Sequence, residues 1–243
     1  VTPLATHFDL GKRVLESGRH LIIEKPLAGS APDCEKLKNL ATRHGCQVIV
    51  DHTFNFSGAI KTMAELVKNG AIGQMRAIEL EMTQWGAFTY VDENVYQLLG
   101  SHMLGILGEL VPLDSVKFVR RNDLAFHYGR VASGRVDFEV GLAKGQMTVS
   151  LVHPHPERSD RGRRVTVIGD EGSIGYSMTR LPPLSFCRFD GKMMPIDQSG
   201  FDEYNNLHGL VDFACRVIHG EATSNFDAAI AVIRALDQIM ALR

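Results

Sequence analysis

The residues best suited to chemistry fall in two places. The first is Glu24-Lys25-Pro26, directly after the short apolar run His20-Leu21-Ile22-Ile23. Such a run suits a strand buried on both faces of a parallel sheet. In open parallel sheets, ligands bind beyond the carboxyl ends of the strands. A lysine there can donate hydrogen bonds, supply a fixed charge, or carry a proton if its pKa falls. Pro26 restricts Lys25 to an extended backbone and so holds its side chain in one direction. The same residues also suit an ordinary charged turn. The second place is His102, on a stretch from Asn94 to Leu110 that reads as a helix. Val95, Leu98, Leu99, His102 and Ile106 share one stripe of it. A histidine on an apolar stripe is either a satisfied core residue or, where the stripe borders a pocket, an acid–base group.

Other candidates are weaker in kind. Thr2-Pro3 and His7 lie at the start of a helix, where a hydroxyl and free amides suit a phosphate or a ribose. On these residues alone a plain Thr-Pro turn with a surface histidine is favoured. His153-Pro154-His155-Pro156 places two imidazoles on one face of a strand. No cysteine or carboxylate cluster completes a ligand set, so no metal is expected. Arg158, Arg161, Arg163 and Arg164 read as a solvated loop, with phosphate contact as a second reading. The chain holds no G-x-S-x-G and no G-x-G-x-x-G. Its cysteines, Cys34, Cys46, Cys187 and Cys215, form no C-x-x-C pair. They read as reduced, mostly buried thiols of a cytoplasmic protein.

The elements that must position these residues divide the chain. Helix from His7 to Ser17, strand from His20 to Ile23, helix from Ser30 (its N-cap) to Gly45 and strand from Gln47 to Val50 follow βαβ logic. A further helix runs from Ser57 to Lys68. Strand-like runs then follow at Met75–Met82, Ser115–Arg120, Arg135–Leu142, Met147–Val152 and Arg164–Ile168, with a hairpin turn expected at Lys144-Gly145. Strands without intervening helices suggest an antiparallel sheet with one wet face. Two helices, near Asn206–Ile218 and Asp227–Leu242, close the chain. The fold class expected is α/β plus α+β: residues 1–53 form part of a Rossmann-type domain, and residues 54–243 form a mainly antiparallel open-sheet domain. The 243 residues carry 26 Lys and Arg against 28 Asp and Glu, which gives no basic field for nucleic acid. No apolar run reaches the roughly 18 residues of a membrane span.

Taken together, the motifs resemble the glucose-fructose oxidoreductase / inositol dehydrogenase / MocA family. The likeness rests on Thr2-Pro3 with His7, Val14-Leu15-Glu16-Ser17-Gly18-Arg19-His20, Glu24-Lys25-Pro26-Leu27-Ala28, and the Gly-x-Ile-Gly turn in Asn69–Gln74. It continues through Val167–Ser173 and the closing pair Ile218–Glu221 with Asp227-Ala228-Ala229. A narrower likeness links Val50-Asp51-His52-Thr53-Phe54, Trp85-Gly86-Ala87-Phe88, Asn94-Val95 and Val149-Ser150 to members that oxidise nucleotide-linked amino sugars.

The resemblance implies an NAD- or NADP-dependent oxidoreductase that moves hydride between a sugar, polyol or nucleotide-sugar hydroxyl and nicotinamide. Lys25 and His102 are the implied catalytic pair, expected to face one cleft. Thr2, Pro3, His7, Glu24, Lys25 and Pro26 are placed near the cofactor. Trp85, Asn94 and His102 are placed near the substrate, Trp85 as a ring to stack on a sugar. The family often carries an Asp four residues before the histidine; here that residue is Leu98. The chain starts Val1-Thr2-Pro3 without the Gly-rich loop, so an N-terminally truncated protein is expected. The residue that selects NAD or NADP lies beyond that loop. A homo-oligomer formed through the C-terminal sheet is also expected. The alternative is a non-catalytic binding or oligomerisation domain of the same fold.

Overall fold

The computed structural model describes residues 2–85, 93–153, 162–198, 201 and 206–242. Gly86-Ala87-Phe88, Pro154-His155-Pro156, Arg158 and Arg161, singled out above, lie outside the described residues.

The first part is a parallel pair flanked by helices. Helix α1 (His7–Glu16) leads to strand β1 (Leu21–Glu24), helix α2 (Ala31–His44) and strand β2 (Val48–Asp51). The strands pair in parallel, with Leu21 opposite Val48 and Glu24 opposite Asp51. Local chemistry sets the ends of α2. The Ser30 hydroxyl accepts from the Asp33 amide at 3.4 Å, and Gly45 closes the helix at φ +63°, a left-handed conformation that favours glycine.

Helix α3 (Gly58–Lys68) leads into a seven-stranded sheet. Its strands are β3 (Met75–Thr83), β4 (Val116–His127), β5 (Arg130–Val140), β6 (Ala143–Ser150), β7 (Gly162–Gly169), β8 (Gly172–Ser177) and β9 (Leu184–Arg188). Their order is β4-β5-β6-β3-β7-β8-β9. Only the β3–β6 pair is parallel; the remaining pairs are antiparallel. Helices α4 (Ser101–Leu110) and α6 (Phe226–Ala241) pack on this sheet, and α6 also reaches back to α2 and β2. Helix α5 (Asn206–Ile218) covers Ile49 of β2 with Leu210, Ala214 and Val217. Apart from that satellite, one apolar core spans both parts of the chain.

The Gly-x-Ile-Gly turn and the later Gly-Asp-Glu-Gly-Ser turn dock on each other. Gly73 has φ +72°, and a β-carbon there would overlap Asp170 and Glu171. The Gln74 amide donates to Asp170 Oδ1 at 2.8 Å. These glycines therefore permit close approach of two backbones.

Several expectations need correction. The hairpin between β5 and β6 turns at Gly141-Leu142, with Gly141 at φ +55°, while Lys144 and Gly145 lie inside β6. The left-handed position selects the glycine that has it. Arg163 and Arg164 belong to β7, not to a solvated loop, and Arg163 is buried. Strands β8 and β9 add to the expected set. The helix bearing His102 begins with a π turn, Tyr96–Gly100, before α4. Of the cysteines, Cys34 and Cys46 are buried, Cys187 is half-buried and Cys215 is exposed; all are free.

Candidate functional site

The site forms where the carboxyl ends of β1 and β2 meet the start of the His102 helix. Strand register sets Glu24 beside Asp51. Burial raises the pKa of both carboxyls, and for Glu24 the neighbouring Asp51 charge adds to that effect. Thr53 steadies Asp51, its hydroxyl donating to Oδ1 at 2.8 Å.

Lys25 is the next residue after β1, ahead of a cis bond to Pro26. Its Nζ donates to the Leu98 carbonyl at 2.8 Å. Leu98 lies within the π turn, a feature common at functional sites. Leu98 thus contributes a main-chain oxygen, which its apolar side chain does not reveal. Burial lowers the Lys25 pKa to about 8, against the opposing pull of Glu24, Glu93 and Asp51. The group therefore exchanges its proton close to neutral pH.

His102 joins the same cluster. Its ring meets the Phe54 ring edge-on, with centroids 4.8 Å apart. Burial, then the charges of Lys25 and Arg163, hold its pKa well below the usual histidine value. Its Nδ1 is sealed from solvent without a hydrogen-bond partner among the described residues. The imidazole is thus neutral at pH 7. It suits a hydrogen bond to a substrate hydroxyl better than it suits holding a proton.

The remaining candidates are arranged around this centre. His7 is buried, with Nδ1 at 2.8 Å from the Pro26 carbonyl and Nε2 at 3.0 Å from the Thr2 carbonyl. It ties the start of the chain to the Lys25-Pro26 turn. Thr2 and Pro3 are exposed, and the nearby Leu4 amide donates to Glu93 Oε1 at 3.1 Å. A carboxylate there repels phosphate and accepts from hydroxyls, so this corner suits a ribose. Asn94 serves as a cap. Its Oδ1 accepts from the Tyr96 and Gln97 amides at 2.9 and 3.1 Å, leaving Nδ2 facing Met240 Sδ at 3.6 Å. Trp85 is 66% exposed and bridges to Val152.

Sequence reasoning missed the part played by Arg163 and gave Phe54 no role. Arg163 Cζ stands 3.9 Å from the Phe54 ring centroid, so one phenyl ring carries both the guanidinium and the imidazole. His52, at the end of β2, is buried, and burial lowers its pKa to about 4. Both of its nitrogens lack partners among the described residues. It lines a cavity of about 370 Å³ with Asn55, Gly105, Glu109 and Phe213. No cluster of three or more metal-ligating side chains occurs among the described residues.

Residues 1–52 match the Gfo/Idh/MocA oxidoreductase family with its NAD-binding Rossmann fold. The uncharacterized oxidoreductase YdgJ of Escherichia coli is 31% identical over 243 residues, covering 96% of this chain and 68% of that protein. The chain therefore belongs to the Gfo/Idh/MocA oxidoreductase family. A dTDP-3,4-didehydro-2,6-dideoxy-alpha-D-glucose 3-reductase of Streptomyces violaceoruber is 35% identical over 81 residues, 33% of this chain and 24% of that enzyme. Other curated relatives are matched over similarly short shares of their length, 23% and 22% in two cases. Among solved structures, an inositol dehydrogenase homolog from Azotobacter vinelandii, complexed with NADH and myo-inositol, superposes with a TM-score of 0.77. It is 18% identical, with 98% of this chain and 73% of that chain covered.

Proposed function

We propose that the whole protein is an NAD(P)-dependent oxidoreductase acting on a sugar, polyol or nucleotide-sugar hydroxyl. The observation that carries this reading is the Lys25–Leu98 hydrogen bond of 2.8 Å, which places a lysine with a pKa near 8 beside the His102 helix. A nicotinamide held beside Glu24, Thr2 and Pro3 would supply the acceptor for the hydride that leaves the carbinol carbon. Neutral Lys25 takes the hydroxyl proton as the C=O bond forms and becomes an ammonium. Neutral His102 orients the hydroxyl. Glu24, Thr2 and Pro3 line the ribose side; His7 and Pro26 fix the Lys25 turn. Trp85 borders the substrate side, and Asn94 acts on it only by capping the helix.

The partition at residues 53 and 54 belongs to the same proposal, with the cofactor on the first part and the sheet behind the substrate. Association of copies through the sheet is supported by exposed Val119, Leu124 and Phe126 on β4. A cytoplasmic location is supported by the free cysteines. No helix among the described residues is long and apolar enough to cross a membrane. The test is a spectrophotometric assay of nicotinamide reduction by the whole protein with a panel of polyols, sugars and nucleotide sugars. Turnover that depends on Lys25 supports the reading; none with any member contradicts it.

A further inference from the structure

His52 is a buried polar side chain that the chemistry around Lys25 does not use. Both of its ring nitrogens are sealed from solvent and lack hydrogen-bond partners among the described residues. With its pKa lowered to about 4, the ring is neutral at pH 7, so it offers one N–H donor and one nitrogen acceptor. Leaving both unmet inside a protein is costly. Gly105 of α4 permits the placement, since a β-carbon there would lie 3.0 Å from His52 Nδ1.

The imidazole lines the cavity of about 370 Å³, a size within the span of small-molecule pockets, about 300–1,000 Å³. The cavity walls are largely apolar. They include Phe56 and Phe213, with ring centroids 5.4 Å apart, together with Leu113 and Val232. The charged groups around it are engaged or face water. Lys61 Nζ stands 5.7 Å from the Phe56 ring centroid, Glu109 Oε1 accepts from Asn55 Nδ2 at 2.9 Å, and Asp114 is exposed. Lys25, Leu98 and His102 are not among its lining residues. The outer edge of β2 is closed on this side. Asn225 accepts from the Val50 amide at 2.9 Å and donates to the Val50 carbonyl at 2.7 Å, and the Ser224 hydroxyl donates to the Val48 carbonyl. Further strands can therefore extend this sheet only beyond β1, away from the cavity.

We propose that this cavity is a second ligand site, separate from the Lys25–His102 centre, which takes an uncharged aromatic molecule whose ring bears a hydroxyl or carboxamide group. The ring packs on Phe56 and Phe213, and the polar head meets His52 as both donor and acceptor. Desolvation at the buried end disfavours a charged head. The proposal is independent of the oxidoreductase reading.

The test titrates the whole protein, saturated with NAD or NADP, with phenol, benzamide, toluene and benzoate. NMR follows the imidazole nitrogens of isotopically labelled histidines. Phenol and benzamide should shift the His52 nitrogens and bind about tenfold more tightly than toluene or benzoate, the scale of one hydrogen bond. His52→Phe keeps a ring at this position but removes its polar atoms, so phenol should lose its advantage over toluene. Ala231→Phe, at a lining residue, fills the cavity and should abolish binding of all four probes. Should either variant fail to fold, the wild-type ratios and the His52 shifts decide. The proposal is overturned if neither phenol nor benzamide shifts the His52 nitrogens, or if toluene or benzoate binds as tightly as phenol. It is overturned equally if the preference for phenol survives in folded His52→Phe, or if binding survives in folded Ala231→Phe.

Discussion

At the scale of single residues, burial divides the work between Lys25 and His102. Burial takes the Lys25 pKa from 10.5 to about 8, while His102 is driven well below 6.5. The lysine therefore handles the proton. Oxidation should accelerate with pH up to a limb near 8, because only the neutral amine accepts the proton, and the reverse reduction should slow above it. In Lys25→Arg the limb should vanish from the pH–rate profile, since a guanidinium stays charged. Linkage has a defined sign here. Between about pH 8 and 10.5 the unfolded chain binds more protons at this residue than the folded one, so its contribution to stability rises with pH across that window. His102→Ala should reduce kcat less than loss of Lys25, because a neutral imidazole orients and does not accept. Sequence singled out Lys25 after an apolar strand and His102 on a helical stripe as candidates, and the family resemblance, not their position, gave them a role. The Leu98 carbonyl was not legible, because a main-chain acceptor has no residue signature. Arg163 was hidden by company: a run of arginines looks like a wet surface, and only the β3–β7 register turns this one inward.

At the scale of elements, caps and turns aim the residues. Ser30→Ala removes the N-cap acceptor of α2 and should cost about 1 kcal/mol in chemical denaturation. Gly73→Ala should cost more, roughly 1–3 kcal/mol, because it places a β-carbon at φ +72° against Asp170. Tyr96 anchors the π turn. Its hydroxyl donates to Asp123 Oδ1 at 2.8 Å, and Arg121 pairs with Asp123 and donates to the Met240 carbonyl. Tyr96→Phe should cost about 1 kcal/mol; a larger fall in kcat than in thermal stability would show that the anchor also aims Leu98 and thereby Lys25. Periodicity exposed the helices and most strands. It missed β8 and β9, where Gly172, Ser173, Gly175, Ser177 and Ser185 interrupt the apolar pattern. It also missed the π turn, whose extra residue leaves the stripe of a helix nearly intact.

At the scale of the whole molecule, a continuous core joins the parallel pair to the large sheet, with α6 touching both. The junction that holds Lys25 and His102 is therefore built by long-range packing that composition does not announce, although the order of motifs along the chain does. No G-x-G-x-x-G occurs in the 243 residues, so the pyrophosphate has no Gly-rich cradle within them. Titration calorimetry of this chain alone should give affinity for NAD weaker than micromolar; micromolar binding would contradict that. The central claim is that Lys25 carries the reaction's proton, and steady-state kcat of Lys25→Met in the whole protein tests it most directly. Methionine keeps the length and apolar stem while removing charge and donor. A fall of about 10² to 10⁴ in kcat, with an unchanged thermal melt, is the result expected. A near-wild-type kcat in a folded Lys25→Met protein would show that the chemistry lies elsewhere.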